Sequence, residues 1–181
     1  MRIAIAALVA ALALPALARE VSGVQFPDTV AVGGQDLTLN GAGLRKRFVV
    51  KVYAGALYLP SPSKDAEAIV SADGPKRVRM VFLRDVDRKA ILGAFREGFE
   101  KNSASEAAAL VPKLDLIAPA IGDVKSGGEI TVTYLPGEGT TVVGPAGMAK
   151  VEGKAFADAL FRNWLGPKPA DDDLKKAMLG R

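Results

Sequence analysis

The sequence predicts an α+β fold in which helices cover one face of an antiparallel sheet. Strand-like segments come in pairs joined by tight turns, such as Gly33-Gly34 between residues 29–32 and 35–39. Segments with helical spacing of apolar residues form a block between residues 87 and 121. Two more alternating segments follow that block, so hairpins flank the helices. This order is typical of an antiparallel sheet with segregated helices.

The first third of the chain is predicted to consist mainly of strands. Residues 21–26 form a short strand and residues 29–39 form a hairpin. We interpret Gly41-Ala42-Gly43 as a glycine-rich turn that holds Arg45. The longest strand then covers 48–59 and ends at Pro60. Its apolar residues occupy both parities, which indicates that both of its faces are covered.

The middle of the chain is predicted to be largely helical. A short amphipathic helix covers 63–72, and a strand with alternating exposed and buried residues covers 77–83. Asp87 is the expected N-cap of the next helix. Further helices are expected at about 103–110 and 114–121. The apolar stripe of the helix that follows Asp87 consists of Ile91, Leu92, Phe95, Gly98 and Phe99.

The C-terminal part returns to strands and closes with two helices. Residues 129–135 and 140–143 are predicted to pair across a turn at 136–139. A helix covers 153–165 and ends at Gly166-Pro167. The last helix, 171–179, has three aspartates at its start and two lysines towards its end, which complements the helix dipole.

Residues 1–18 have the pattern of a secretory signal peptide. Arg2 precedes a twelve-residue apolar run at 3–14, and Ala16-Leu17-Ala18 fits a cleavage site. The run is shorter than the roughly 20 residues of a transmembrane helix, which is the alternative. We therefore expect an exported protein, periplasmic in a Gram-negative source, with one domain over 19–181. No membrane span is expected in that mature form.

The composition excludes several classes of chemistry. The chain has no Cys and no His, so it has neither a thiol nucleophile nor a His-dependent triad or zinc site. The formal net charge is +4, and Lys and Arg are interspersed with Asp and Glu. No clustered basic patch indicates nucleic acid as a partner. We expect no metal and no other cofactor, and the sequence identifies no protein partner.

Arg45 and Tyr53 are the polar residues that raise a functional question. They flank the apolar start of the longest predicted strand and lie eight residues apart. Along an unbroken strand, that spacing separates them by roughly 26 Å. Spacing alone therefore favours a surface Arg and a packed Tyr that are unrelated, unless the chain bends between them.

Four segments in this order resemble the chalcone isomerase-like family, in particular its exported bacterial members. They are LNGAGLRKRFVVKVYAGALYLP at 39–60, KRVRMVFLRDVDRKAILGAFREGFEKN at 76–102, GGEITVTYLPGEGTTV at 127–142 and VEGKAFADALFRNWLG at 151–166. The similarity runs from about residue 21 to residue 180. It implies an open-faced β-sandwich, a large antiparallel sheet with a helical layer on one face. Family members either close flavanone rings or bind fatty acids through an Arg and a Tyr.

The resemblance assigns the family's site residues to positions of this chain. The Arg of the Gly-x-Arg segment matches Arg45, and the Tyr of the fatty-acid binders matches Tyr53. Because the gap between the two is shorter than in the plant proteins, Arg47 is a rival for the Arg role. The isomerase's Tyr, Asn and late Thr fall near Lys89, Arg96 and Ala146, so most of its catalytic polar set is absent.

The resemblance thus implies a non-catalytic protein that binds a fatty acid or a similar amphipathic carboxylate. We assign no catalytic residue. A guanidinium and a phenol suit a carboxylate, and an apolar cleft between sheet and helices suits its tail. The alternatives are an isomerase or lyase acting on a phenolic or enone substrate, and an envelope scaffold with a vestigial cleft. The expected cleft walls are Val50, Val52, Met80, Phe95, Phe99 and Phe156.

Overall fold

The computed structural model describes residues 18–181. The predicted signal peptide, apart from Ala18, lies outside the described residues. Within 18–181, no helix is both long enough and apolar enough to cross a membrane.

The centre of the fold is a curled antiparallel sheet of seven strands, preceded by a separate two-stranded hairpin. The hairpin consists of β1 (Ala18–Val21) and β2 (Val24–Pro27). The seven strands neighbour each other in chain order. They are β3 (Thr29–Val32), β4 (Gln35–Arg47), β5 (Val50–Leu59), β6 (Lys76–Phe82), β7 (Glu129–Leu135), β8 (Gly139–Gly144) and β9 (Gly147–Val151).

Within residues 18–181, six α-helices accompany the sheet, and the predicted α+β class is confirmed. They are α1 (Ala66–Ser71), α2 (Arg88–Asn102), α3 (Ala104–Leu110), α4 (Leu114–Ile121), α5 (Lys154–Leu165) and α6 (Asp172–Met178). The predicted helix starts follow from local capping. Asp87 accepts the backbone N–H of Ala90 at 2.7 Å, and Asp171 accepts that of Leu174 at 2.9 Å. Each cap satisfies an amide that the helix leaves unpaired.

Apolar cores lie on both faces of the sheet. The larger core joins the sheet to α2, α4, α5 and α6, and its largest fully buried side chain is Trp164. A smaller core on the other face includes Phe26, Leu37 and Tyr58, and the β1–β2 hairpin contributes Phe26 to it. Strand β5 is thus covered on both sides, as the two-parity apolar pattern predicted, but it is not the longest strand, since β4 has 13 residues and β5 has 10.

The predicted glycine-rich turn at residues 41–43 is wrong, because these residues lie inside β4. Helix α6 packs directly on this part of the strand. A Cβ on Gly41 would overlap the carbonyl oxygen of Ala177, and one on Gly43 would lie 2.5 Å from the Ala177 Cβ. The glycines therefore serve close approach of helix and strand rather than a change of direction.

The turn lies instead at Phe48-Val49, where β4 ends and β5 begins. The predicted start of the long strand at residue 48 is therefore wrong by two residues. Phe48 has φ 55°, in the left-handed region. For a residue with a Cβ this conformation costs on the order of 1 kcal/mol. Glycine would be the usual choice at the first position of such a two-residue turn.

Two smaller predictions also differ from the structure. Residues 21–26 were expected to form one strand, but Ser22-Gly23 divides them into β1 and β2 because both residues have positive φ. Strand β9 was not predicted at all. It is short, it lies between two glycines, and it pairs with β8 as the edge of the sheet.

Candidate functional site

Arg45 and Tyr53 lie directly opposite each other on β4 and β5. The turn at Phe48-Val49 brings the two strands together, so the expectation that the residues are unrelated was wrong. Lys46 pairs with Lys51, which leaves Val52 as an extra residue in a β-bulge. Directly opposed residues project to the same face of a sheet. Both side chains therefore belong to the helix-covered side, where Tyr53 is part of the larger core.

The Arg45 guanidinium lies against the Tyr53 ring without a hydrogen-bond partner for its inner nitrogen. Its central carbon is 5.6 Å from the ring centroid, a cation–π distance. Its Nε is buried and makes no hydrogen bond to any of the residues 18–181. A buried donor without an acceptor carries a desolvation cost, which an incoming acceptor would remove. Arg47, the rival for this role, is exposed near the end of the hairpin.

The Tyr53 hydroxyl is held by Trp164 on α5. The indole Nε1–H donates to the Tyr53 oxygen at 2.8 Å. This bond occupies an acceptor site of the phenol and leaves the phenol's own proton available for donation. Burial raises the pKa of Tyr53, and the nearby Arg45 charge opposes that rise. Tyr53 therefore remains a neutral hydrogen-bond donor at physiological pH.

Trp164 is a site residue that the sequence analysis missed. Its indole packs edge-on against Phe95, at 5.9 Å between ring centroids, and against Phe161, at 6.1 Å. The available signal was chemical. The chain has one Trp, and an indole N–H that is buried needs an acceptor. Nothing local indicates that this acceptor is a residue 111 positions away.

A small cavity lies beside this Arg–Tyr–Trp group. Its volume is about 40 Å³, a little more than the roughly 30 Å³ that one water occupies in the liquid. Arg45, Tyr53, Trp164 and Asn163 supply its polar atoms. The remaining lining is apolar and comes from β5, β6, α2 and the segments that flank them: Val52, Met80, Phe82, Val86, Ala90, Ile91, Ala94, Phe95 and Ala170.

A larger open groove adjoins the cavity and shares Arg45 with it. The groove has a volume of about 730 Å³, within the range of roughly 300–1,000 Å³ of ligand pockets. Its floor is the face of α2 that carries Ala90, Gly93, Ala94 and Gly98. From residue 90 to residue 101, this helix face extends over about 16 Å. The small side chains leave an elongated space beside the hairpin.

Two sets of hydrogen bonds fix the segments that border the groove. Asn102 at the end of α2 donates to the Lys168 carbonyl at 2.9 Å and accepts the Lys168 N–H at 2.7 Å, which fixes the loop after α5. Asp171 caps α6 with one carboxylate oxygen and accepts the backbone N–H of Lys46 with the other, at 2.8 Å. The hydrogen bond from Lys46 to Asp171 fixes the end of β4 and hence the backbone next to Arg45.

Charged side chains line the rim of the groove. Six are basic: Arg45, Lys46, Arg47, Arg84, Lys101 and Lys168. Three are acidic: Asp85, Asp87 and Glu97. Glu97 is paired with Lys101 at 2.5 Å, and this hydrogen bond holds the pKa of Glu97 below its ordinary value. The net positive rim favours an anionic ligand.

The expected cleft walls separate into two groups. Val50 lines the groove, Met80 and Phe95 line the small cavity, and Val52 lines both. Phe99 and Phe156 do not line either space. They are fully buried and pack edge-on against each other at 5.7 Å, so they belong to the core between α2 and α5. Their place on the apolar helix faces was predicted, but not their depth.

Among residues 18–181, no three carboxylate groups cluster as they would around a metal ion. Comparison with known families then identifies the relationship. The model of the chalcone isomerase-like family matches residues 18–180. The chain belongs to this family. No curated protein sequence matches this chalcone isomerase-like protein.

Among solved structures, the fold is similar to that of a fatty-acid binding protein from Arabidopsis thaliana. The TM-score is 0.69 at 17% sequence identity, over 87% of this chain and 92% of that one. At this identity, the similarity establishes the shared fold. The chemistry of this chalcone isomerase-like protein has to be argued from its own Arg45, Tyr53 and Trp164.

Proposed function

We propose that this chalcone isomerase-like protein binds a fatty acid or a similar amphipathic carboxylate. The observation that carries the proposal is the buried Nε of Arg45, which has no hydrogen-bond partner among the described residues and belongs to a guanidinium that lies over the Tyr53 ring. The Arg45 Nε–H and the Tyr53 O–H are both hydrogen-bond donors, and neither has an acceptor among residues 18–181. A carboxylate supplies two acceptor oxygens and the negative charge that the guanidinium needs. The fatty-acid binding neighbour has the same fold, which adds to the proposal.

The sizes of the two spaces assign the parts of such a ligand. The small cavity of about 40 Å³ has room for a carboxylate but not for an acyl chain. The adjoining groove of about 730 Å³ has room for the chain along the small-residue face of α2. The ligand therefore places its head at Arg45 and Tyr53 and its tail in the groove.

The protonation state of Tyr53 supports binding rather than base catalysis. Burial raises the pKa of its hydroxyl, so the phenol is a donor and not a base at neutral pH. Trp164 fixes the oxygen and thereby orients the donated proton towards a ligand. This arrangement stabilises a bound anion without any proton transfer.

Titration with fatty acids tests the head-group assignment. Trp164 is the single tryptophan, and its N–H bonds to Tyr53, so its fluorescence reports on ligand at that hydroxyl. We expect palmitate to shift the emission and Arg45→Met to weaken binding at least about tenfold, since a charged hydrogen bond contributes about 1.5–3 kcal/mol. The methyl ester of palmitate, which lacks the charge, should bind as weakly to the unaltered protein. Equal affinity for acid and ester would overturn the assignment.

A groove variant tests the position of the tail independently. Gly93 lines the groove and a Cβ there meets nothing within 4 Å, so Gly93→Leu directs its side chain into the groove from a position with free space. It also removes a glycine from a helix interior, which favours folding by up to about 1 kcal/mol. We expect this variant to weaken binding of palmitate while binding of hexanoate is retained. Unchanged palmitate affinity would mean that the tail lies elsewhere. Native mass spectrometry of protein purified from cells should also detect an acyl ligand.

The proposed site of action is outside the cytoplasm, which rests on the signal-peptide pattern of residues 1–18. Export would give a mature protein that begins close to residue 19. Intact mass measurement of the protein from a periplasmic or culture fraction tests this. A full-length mass in the cytoplasmic fraction alone would contradict it.

A further inference from the structure

The β4–β5 turn exposes three consecutive apolar side chains. Phe48 is 92% exposed, Val49 is 93% exposed and Val50 is 40% exposed. These are three of the six large apolar side chains that are exposed in residues 18–181. Isolated exposed apolar residues are ordinary, but a group at the tip of a projecting hairpin marks a contact surface. We call residues 46–51 the hairpin tip.

The backbone of the hairpin tip argues that Phe48 is retained for a contact outside the chain. Its φ of 55° is a conformation that glycine adopts without strain. A phenylalanine here strains the backbone, and at 92% exposure its ring gains almost nothing from packing. Glycine at this position would be better for the isolated fold. An aromatic ring that is both strained and exposed points to an external apolar partner.

The charges around the hairpin tip are predominantly positive. Lys46, Arg47 and Lys51 are exposed, and none forms an ion pair with a carboxylate in residues 18–181. Lys51 donates to the Ser22 hydroxyl at 3.2 Å. The carboxylates of the adjoining groove are already engaged in part, since Glu97 pairs with Lys101 and Asp85 pairs with Lys125. The partner therefore combines an apolar layer with negative charge.

We propose that the hairpin tip docks on the surface of a lipid bilayer that contains anionic phospholipids. Phe48 and Val49 enter the interface between headgroups and acyl chains, while Lys46, Arg47 and Lys51 contact lipid phosphates. An aromatic and aliphatic tip with basic flanks matches the physical requirements of interfacial binding. A two-residue apolar turn is too small for a stable protein interface, which buries roughly 1,000 Å² or more.

The groove lies beside this surface, because Phe48, Arg47 and Val50 line it as well. Docking therefore turns the mouth of the groove towards the membrane. If the groove holds a fatty acid, the bilayer is its source or its destination. That last step rests on the proposed function, whereas docking itself does not.

Cosedimentation with vesicles tests docking. The protein is purified as it accumulates in cells, and its intact mass is recorded so that all variants carry the same N-terminus. We expect binding to phosphatidylcholine vesicles with about 30% phosphatidylglycerol, weak binding to pure phosphatidylcholine, and release as salt rises from about 0.05 M to about 0.5 M. Equal binding to both vesicle types, or no binding to either, would overturn the proposal.

Tip variants and a matched control locate the contact. Phe48→Gly relieves the backbone strain, so it folds, and it should weaken vesicle binding at least about tenfold. Lys51→Glu should weaken it by about tenfold through charge reversal. Met148→Ser, at an exposed apolar residue on the far edge strand, should change binding less than about twofold. A similar loss in Met148→Ser would rule out the hairpin tip as the specific contact.

Two outcomes separate docking from the alternatives. Val49 does not line the groove, so Val49→Ser should lose vesicle affinity while its Trp164 titration with palmitate is unchanged. Failure of palmitate binding alone would refute the proposed function and leave docking intact. Sedimentation velocity tests for self-association. A dimer that Phe48→Gly dissociates, combined with no vesicle binding, would assign the hairpin tip to a second copy of the chain and refute docking.

Discussion

Lys76, which is buried, and Arg45, which is partly buried with a buried Nε, lie level with the two ends of β6 and differ in the hydrogen bonds that they make. Lys76 begins the strand, whereas Arg45 lies opposite Tyr53, which pairs with Phe82 at the strand's end. The Lys76 ammonium donates to the carbonyls of Ile69, Val70 and Ala72 at 2.7–3.0 Å. The Arg45 Nε donates to nothing.

The difference teaches how to separate a structural charge from a binding charge. The three protons of Lys76 are all used at the C-terminal end of α1, where helix carbonyls lack internal partners. Its Nζ also lies 5.3 Å from the Tyr134 ring centroid and 5.7 Å from that of Phe161. All three ammonium protons of Lys76 therefore have hydrogen-bond acceptors within the fold. Arg45 has the ring of Tyr53 but no acceptor for its Nε within residues 18–181, and the proposed anion site rests on this difference.

The largest expected effect is the loss of the structural cation. Lys76→Met keeps the length of the side chain but leaves three carbonyls at the end of α1 without their donor. We expect the free energy of unfolding to fall by about 3 kcal/mol, since each buried unsatisfied group costs about 1–3 kcal/mol and some will be hydrated. Urea denaturation measures this change. Lys150→Met, at a lysine that is exposed, serves as the control and should change stability by less than about 0.5 kcal/mol. A change below about 1 kcal/mol in Lys76→Met would contradict the structural role.

The fold was largely predictable because each element carries local signals, and the site was not. The caps Asp87 and Asp171 mark helices in the sequence, and Gly33-Gly34 marks a hairpin. The turn at Phe48-Val49 contains no Gly, Asn, Asp or Pro, which are the usual turn residues. Because both of its residues are apolar, the sequence there looks like the beginning of the strand. Gly41 and Gly43 suggested a turn, but these glycines allow α6 to pack closely on β4. This is a tertiary contact that the local sequence does not reveal.

The site was harder to predict than the fold because its contacts join residues that are far apart in the sequence. The bond from Trp164 to Tyr53 and the placement of Arg45 against the Tyr53 ring both depend on where the chain turns. The predicted strand began at residue 48 and so included the turn at Phe48-Val49. Without that turn, Arg45 and Tyr53 were expected to lie most of a strand apart. The family resemblance brought the two together because it relies on residue types in order rather than on local geometry.

A smaller effect follows from titration of the structural cation. Desolvation lowers the pKa of Lys76 to about 8, whereas the unfolded chain has the ordinary value of 10.5. Between these values the unfolded state holds more protons than the native state, so stability rises with pH. This pH-dependent part of the Lys76 contribution is fully present above about pH 10.5 and is lost as pH falls through about 8, whereas the hydrogen bonds of the charged ammonium remain below that pH.

This pH dependence is measured as the difference between the wild type and Lys76→Met, so that other titrating groups cancel. We expect the stability advantage of the wild type to increase by about 1.5 kcal/mol from pH 8 to pH 9.5. Urea denaturation at three or more pH values in this window provides the measurement. A difference that is constant, or that falls with pH, would show that the native lysine keeps an ordinary pKa.

The smallest expected change in stability is the one that matters most for the comparison. Arg45→Met removes a buried nitrogen that has no acceptor and keeps an apolar stem over Tyr53. The desolvation cost that is removed offsets the lost cation–π attraction, so unfolding should change by less than about 1 kcal/mol. Palmitate at about a hundred times its Kd should then stabilise the wild type by about 2.7 kcal/mol and the variant by much less. If Arg45→Met instead costs as much as Lys76→Met without ligand, Arg45 is a second structural cation. The pair would then no longer distinguish binding from folding.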